Sequence, residues 1–130
     1  MSLSSLTFAY WCVLVAALLP YAAAYAAKAG SFKPRDNQAP RDWMGRQAGW
    51  RARAIGAQAN SFEGLPFFIG AVVIAHQLGA AQTTLDRLAA VYVVLRVLYI
   101  VLYILGLGAA RSAVWALAFA VNITMLFAGR

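Results

Sequence analysis

Charge is scarce in this chain. Only 12% of its residues are Asp, Glu, Lys or Arg, while 63% are hydrophobic, and a soluble surface needs about twice that charged share. Acids are scarcest: Asp36, Asp42, Glu63 and Asp86 face 11 Lys and Arg, for a formal net charge of +7. One cysteine, Cys12, excludes an intrachain disulfide and a cysteine metal cluster, and its default is a small buried apolar group. The one histidine, His76, lacks metal or triad partners, and the sequence shows no Ser–His–Asp set, no P-loop and no metal-ligand spacing such as His-Glu-x-x-His. No metal site is expected.

What the chain has instead is long apolar stretches. A bilayer core takes roughly 20 mostly apolar residues per helix. Four such stretches and one loop account for the 130 residues. The expectation is all-α: one integral membrane four-helix bundle spanning 1–130, with helices over about 5–27, 46–78, 85–107 and 110–128 and a loop over about 28–45. The first stretch ends in small residues, Ala22 to Ala27, of the kind a signal peptidase cuts. No Lys or Arg precedes it, however, and it exceeds the about 7–15 residues of a signal core, so it reads as a retained helix. Pro20 and Pro66 predict kinks inside spans. The loop carries the near-repeat Pro34-Arg35-Asp36 and Pro40-Arg41-Asp42. The link after Gly79 offers Thr84 as an N-cap and Asp86 in the first turn of the third helix.

The basic residues are not spread evenly. Lys28, Lys33, Arg35, Arg41, Arg46, Arg51 and Arg53 lie in or beside the first connection, whereas the second has only Arg87 near one acid. The positive-inside rule puts the first loop in the cytoplasm and both termini on the opposite side. Basic residues flanking apolar spans point to topology and anionic lipid rather than to nucleic acid.

Ionisable residues inside the spans carry the chemistry. Counted back from Gly79, the second span begins near Asn60, which leaves Glu63 within the hydrocarbon layer near its cytoplasmic edge. At about 100° per residue, Arg53, Asn60 and Glu63 fall within about 80° of one another, and Arg46 joins their face. On the third helix Tyr92, Arg96, Tyr99 and Tyr103 form a matching stripe, with Arg96 near mid-span, where an unpaired cation is expensive. Structural readings stand beside the functional one. Glu63 and Arg96 could form an ion pair that fixes register, Asn60 and Asn122 could be interhelical hydrogen-bonding glue, and Tyr103 could anchor at headgroup depth. His76, about 130–160° from the Arg53–Glu63 stripe, reads as interfacial. Two stripes together favour function, since intramembrane ionisable residues are usually functional. Arg and Tyr donors with one carboxylate suit a small anion that also bears an amino group.

The run RAIGAQANSFEGLPFF from Arg53 resembles the signature of the MAPEG superfamily (membrane-associated proteins in eicosanoid and glutathione metabolism). The likeness rests on Arg-Ala, on Asn60-x-x-Glu63, on Pro66-Phe67-Phe68, and on the Arg96, Tyr99, Tyr103 pattern. From Pro40 onward the chain is similar to the small bacterial branch, implying a bacterial inner membrane. The resemblance implies a homotrimer that holds glutathione as co-substrate between subunits and attacks a lipophilic small molecule through the thiolate, as a transferase or peroxidase. Arg53, Asn60, Glu63, Arg96, Tyr99 and Tyr103 would bind the peptide, and Arg111 would activate the thiol. Glutathione-using relatives usually carry an Arg four residues before the Asn, where this chain has Gly56. The match of Arg111 depends on a loop of variable length. The alternative is a non-catalytic membrane protein or small-molecule transporter that uses the stripes structurally or for passage. Small multidrug exporters also have four helices, but their membrane carboxylate is in the first, which here has no Asp, Glu, Lys, Arg or His between Met1 and Ala27.

The charge asymmetry makes a topological prediction. A cysteine introduced at Lys33, in a chain whose Cys12 is replaced, should resist membrane-impermeant thiol reagents in intact cells. Ready labelling from outside would overturn the assignment.

Overall fold

A computed structural model describes residues 5–129. Residues 1–4 and residue 130 of the expected domain lie outside these described residues. Within them all regular structure is helical, and four helices have the length and apolarity to cross a membrane: α1 (Phe8–Lys28), α3 (Gly49–Gln77), α4 (Gln82–Leu105) and α5 (Gly108–Phe127). A short α2 (Pro40–Gly45) lies in the first connection. α3 has 29 residues, about 44 Å at 1.5 Å each, against a core of about 30 Å, so its first turns project beyond the hydrocarbon at the basic end.

The bundle closes through small residues. α1 buries Ala9, Cys12, Ala16, Pro20, Ala23 and Ala27 along one stripe, and α3 buries Ala54, Ala57, Ser61, Ala71 and Ala75. Small residues predominate along this contact, with Phe68 and Val72 of α3 as the larger buried side chains, and small residues let membrane helices approach closely. α1 packs on α3 and α4, and α5 packs on α4 and α3. Large apolar side chains point outward instead, among them Trp11, Leu14, Leu18, Val94 and Leu117; such a surface suits lipid and would aggregate in water.

The first connection is more ordered than a plain loop. Pro34 opens a 3-10 turn (Pro34–Gln38) and Pro40 opens α2, each proline at a first-turn position that has no intrahelical partner for an N–H. The near-repeat is thus two helix starts. Asp36 accepts from Lys33 N at 2.8 Å and pairs with Arg46 at 3.5 Å, while Trp43 is buried edge-on against Phe32. Arg46 is the C-cap of α2, and α3 begins only at Gly49. Arg46 therefore does not join the stripe on the second span.

The start of the third span also differs from expectation. α3 and α4 both stop in a Schellman motif. Gly79 and Gly106 take φ of 75° and 79°, and Ala80 N and Leu107 N reach back to Ala75 O and Leu102 O, both at 3.0 Å. Because the turn at Gly79 is so tight, α4 starts at Gln82, with Ala81 rather than Thr84 as its N-cap. Asp86 consequently falls beyond the first turn. It faces α1 and accepts from Ala9 N at 3.0 Å, satisfying an orphan donor of a different helix. His76 stacks on Tyr10 with ring centroids 4.0 Å apart. Its Nδ1 lies 2.8 Å from Val72 O and its Nε2 2.8 Å from Thr7 Oγ1. A carbonyl can only accept, so Nδ1 carries the proton and Nε2 accepts from Thr7.

Candidate functional site

A groove between α3, α4 and α5 gathers most of the anticipated residues. Arg96, only 3% exposed, donates through Nη2 to Asn60 Oδ1 at 2.8 Å. Its guanidinium carbon lies 4.2 Å from the centroid of Tyr99. Tyr99 meets Tyr103 edge-on at 5.8 Å, and the Arg111 guanidinium sits 4.2 Å from the Tyr103 centroid. The result is a ladder of cation, ring, ring and cation, running from the interior toward the basic end. The 3- and 4-residue spacings on α4 put three members on one face, and α5 supplies the fourth from its first turn.

Glu63 does not pair with Arg96. Among the described residues the one ion pair is Arg46–Asp36, and Glu63 is exposed at the groove. It stands at the middle of α3, 14 residues from either end, hence about 21 Å from each. Arg96 prefers the neutral amide on the preceding turn of α3, so the bundle contains a buried cation and a separate, unneutralised carboxylate.

Arg53 has a partner of its own. Its Nε donates to Ile104 O at 2.9 Å, and it packs under Gly106, so it caps the C-terminus of α4. Arg51 does the same for α1, donating to Ala27 O at 2.7 Å and Ala29 O at 2.8 Å. That role was invisible in a sequence where Arg51 counted only as charge. The Arg53 side chain still borders the small cavity below Tyr103 and Arg111.

Two further cavities lie along the ladder. One of about 170 Å³ is bounded by Asn60, Tyr99, Arg111, Ser112 and Trp115. Another of about 260 Å³ includes Glu63, Phe67, Tyr92, Arg96, Trp115, Phe119 and Asn122. Ser112, Trp115 and Phe119 were missed in the sequence. Arg111, Trp115, Phe119 and Asn122 recur at steps of four, four and three, so the periodicity that revealed the α4 stripe would have revealed a third one on α5.

Gly56 also acquires a physical reason. A Cβ there would overlap Tyr103 Oη and lie 2.7 Å from Tyr103 Cζ. The tyrosine ring fills the space that a longer residue at 56 would need.

Fold and site together define a class: a multi-pass membrane protein with a cation-rich polar groove set between its helices. The chain matches the model of the MAPEG family over residues 8–129 and belongs to that family. Membership and four membrane-length helices make it an integral multi-pass membrane protein of the eicosanoid and glutathione metabolism type. No curated protein and no solved structure matches the chain.

The Gly56–Tyr103 contact can be tested by a cycle. Gly56→Ala should cost about 1–3 kcal/mol of stability, as overpacking does, measured by thermal unfolding in detergent. In a Tyr103→Ala background the cost should fall to near zero. Equal costs in both backgrounds would show that Tyr103 does not occupy that space.

Proposed function

We propose that the groove binds glutathione and that the protein is a glutathione-dependent transferase or peroxidase acting on lipophilic electrophiles that enter from the bilayer. The observation that supports this best is the charge balance of the groove. Arg96 and Arg111 bring two positive charges, Glu63 one negative charge, and Glu63 has no ion-pair partner among the described residues. The site is left with a net positive charge and a separate place for a cation. Glutathione, with two carboxylates, one ammonium and a thiol, complements that arrangement.

In this reading Arg96 and Arg53 take carboxylates, Glu63 takes the ammonium, and Asn60, Tyr99 and Tyr103 supply hydrogen bonds. Bound glutathione supplies a thiol whose thiolate is the nucleophile. Arg111 lies in the first turn of α5, where its charge and the helix N-terminus both favour an anion on sulfur. Gly56 removes the extra arginine usual in glutathione-using relatives. Carboxylate binding therefore falls on Arg53 and Arg96.

The groove lies open on a single chain, with Glu63 exposed along it. A carboxylate at hydrocarbon depth needs cover, and a second subunit supplies it in the trimer the family likeness suggests. The bacterial inner membrane, with the basic loop in the cytoplasm, is the setting that fits the charge asymmetry.

Calorimetry on the detergent-purified protein tests the reading. Glu63→Gln should weaken glutathione binding by about 1–3 kcal/mol, the range for losing a charged hydrogen bond. Arg111→Ala should lower the ultraviolet thiolate signal of bound glutathione while leaving affinity within a few-fold. If both variants bind and ionise glutathione like the wild type, the enzyme reading fails and the stripes are structural. Assembly has its own measurement: the mass in detergent should correspond to three subunits, and a stable monomer at every concentration would overturn the trimer.

A further inference from the structure

One polar atom in the interior has no partner. Asn122 is 3% exposed, and among the described residues its Oδ1 is the buried side-chain oxygen or nitrogen that finds no hydrogen bond. The Asn122 side chain hydrogen-bonds the neighbouring Tyr92 hydroxyl, but not through Oδ1. Tyr92 directs its proton to the Gly64 carbonyl at 3.4 Å, leaving only a lone pair for Asn122. Leaving a buried acceptor unsatisfied costs more than a typical hydrogen bond returns, and the cost is higher in hydrocarbon.

Asn122 lines the cavity of about 260 Å³ between α3, α4 and α5. The walls toward the outside are aromatic. Phe67 meets Phe119 edge-on at 5.3 Å, and Trp115 stacks on Phe119 at 5.3 Å. Trp115 is 42% exposed and Phe119 39%, so the rings form a mouth on the outer face of the bundle. An apolar cavity of about 150 Å³ accepts benzene; this one has room for a fused or substituted ring. Aromatic walls with a few inward polar groups, Asn122 beside Asn60, Glu63 and Arg96, are the recipe of a small-molecule pocket in which polar groups fix orientation.

We infer that this cavity binds a neutral, largely apolar molecule that carries a hydroxyl or N–H, which donates to Asn122 Oδ1 while its apolar body lies against Phe67, Trp115 and Phe119. Opposite charges on the wall, Arg96 and Glu63, favour neither a lone cation nor a lone anion, and a ligand with no donor leaves Asn122 unsatisfied. The cavity shares Glu63 and Arg96 with the proposed glutathione site. It rests, however, on a different observation, the orphaned Asn122 oxygen, and its test omits glutathione so that the two readings can fail separately.

The test uses a matched pair of probes, 2-naphthol and 2-methylnaphthalene, which differ by a hydroxyl in place of a methyl. Radiolabelled probe is equilibrated with the protein in nanodiscs, and partitioning into empty nanodiscs is subtracted. The wild type should hold 2-naphthol about 5- to 10-fold more tightly than 2-methylnaphthalene, the ratio one hydrogen bond to an otherwise unsatisfied group provides. Asn122→Leu, close in volume, should bring the ratio to about one without weakening 2-methylnaphthalene. Phe119→Ala, at the exposed mouth, should weaken both probes and preserve the ratio. If Asn122→Leu does not fold, the wild-type ratio and its persistence in Phe119→Ala decide the matter. Binding no greater than in empty nanodiscs would overturn the proposal. So would equal affinities in the wild type, which mean that water alone satisfies Asn122, or a preference that survives Asn122→Leu.

Discussion

The hydrogen bond from Arg96 to Asn60 is the constraint on which the rest of the bundle hangs. A cation near the centre of a membrane helix costs about 2.5–3.5 kcal/mol on insertion scales. One charged hydrogen bond returns about 1.5–3 kcal/mol, and the face of Tyr99 adds about 0.5–2 kcal/mol. At mid-range the two together offset the cost, and neither does so alone. Both contacts must therefore be kept, which fixes the rotation of α4 about its axis and its height against α3. Once Arg96 is placed, the 3- and 4-residue spacings dictate where Tyr99 and Tyr103 lie, and Tyr103 in turn requires a glycine at position 56. Arg111 can stack only where the turn at Gly106 brings α5 back beside that ring. A single polar contact thus organises three helices and leaves the groove between them.

Choosing an amide instead of a carboxylate as the partner of Arg96 has a consequence for the charge. An Arg96–Glu63 pair would have neutralised the interior and left a site with little to attract an ion. Asn60 satisfies the geometry of the guanidinium while leaving its charge intact, and it leaves Glu63 free of an ion pair. A buried, fully matched ion pair serves register; separated, uncompensated charges at the edge of a groove serve a ligand or a neighbouring subunit. The arrangement departs from what a purely structural network needs, and the departure is confined to the groove.

Much of this was legible in the sequence because membranes enforce simple rules. Apolar length located the four spans, and the 3.6-residue period put Asn60 and Glu63 on one face and Arg96, Tyr99 and Tyr103 on another. What escaped detection depends on contacts between distant segments. Nothing local says that Asp86 accepts from Ala9, 77 residues away, because that contact follows from the tight turn at Gly79 and not from the composition around Asp86. Period alone places Arg46 on the second span, whereas it closes the short helix that Pro40 opens, and Gln47 and Ala48 break the helix before Gly49. The choice of Asn60 over Glu63 as the partner of Arg96 is a matter of one helical turn, finer than a helical wheel can resolve.

The basic end shows why counting charges understates them. Arg51 and Arg53 both belong to the cluster that sets the expected topology, yet each also donates to carbonyls at the C-terminus of a neighbouring helix, Arg51 at α1 and Arg53 at α4. These carbonyls have no intrahelical donor and carry the negative end of the helix dipole. They need cations where the chain leaves the hydrocarbon, the same depth at which topology places lysine and arginine. One set of residues therefore meets two demands. A third follows from position: because Arg53 ends beneath Tyr103, beside Arg111, the residues that close the helix ends also contribute the positive field at the mouth of the groove. The scarcity of charge elsewhere in the chain concentrates that field where an anion would enter.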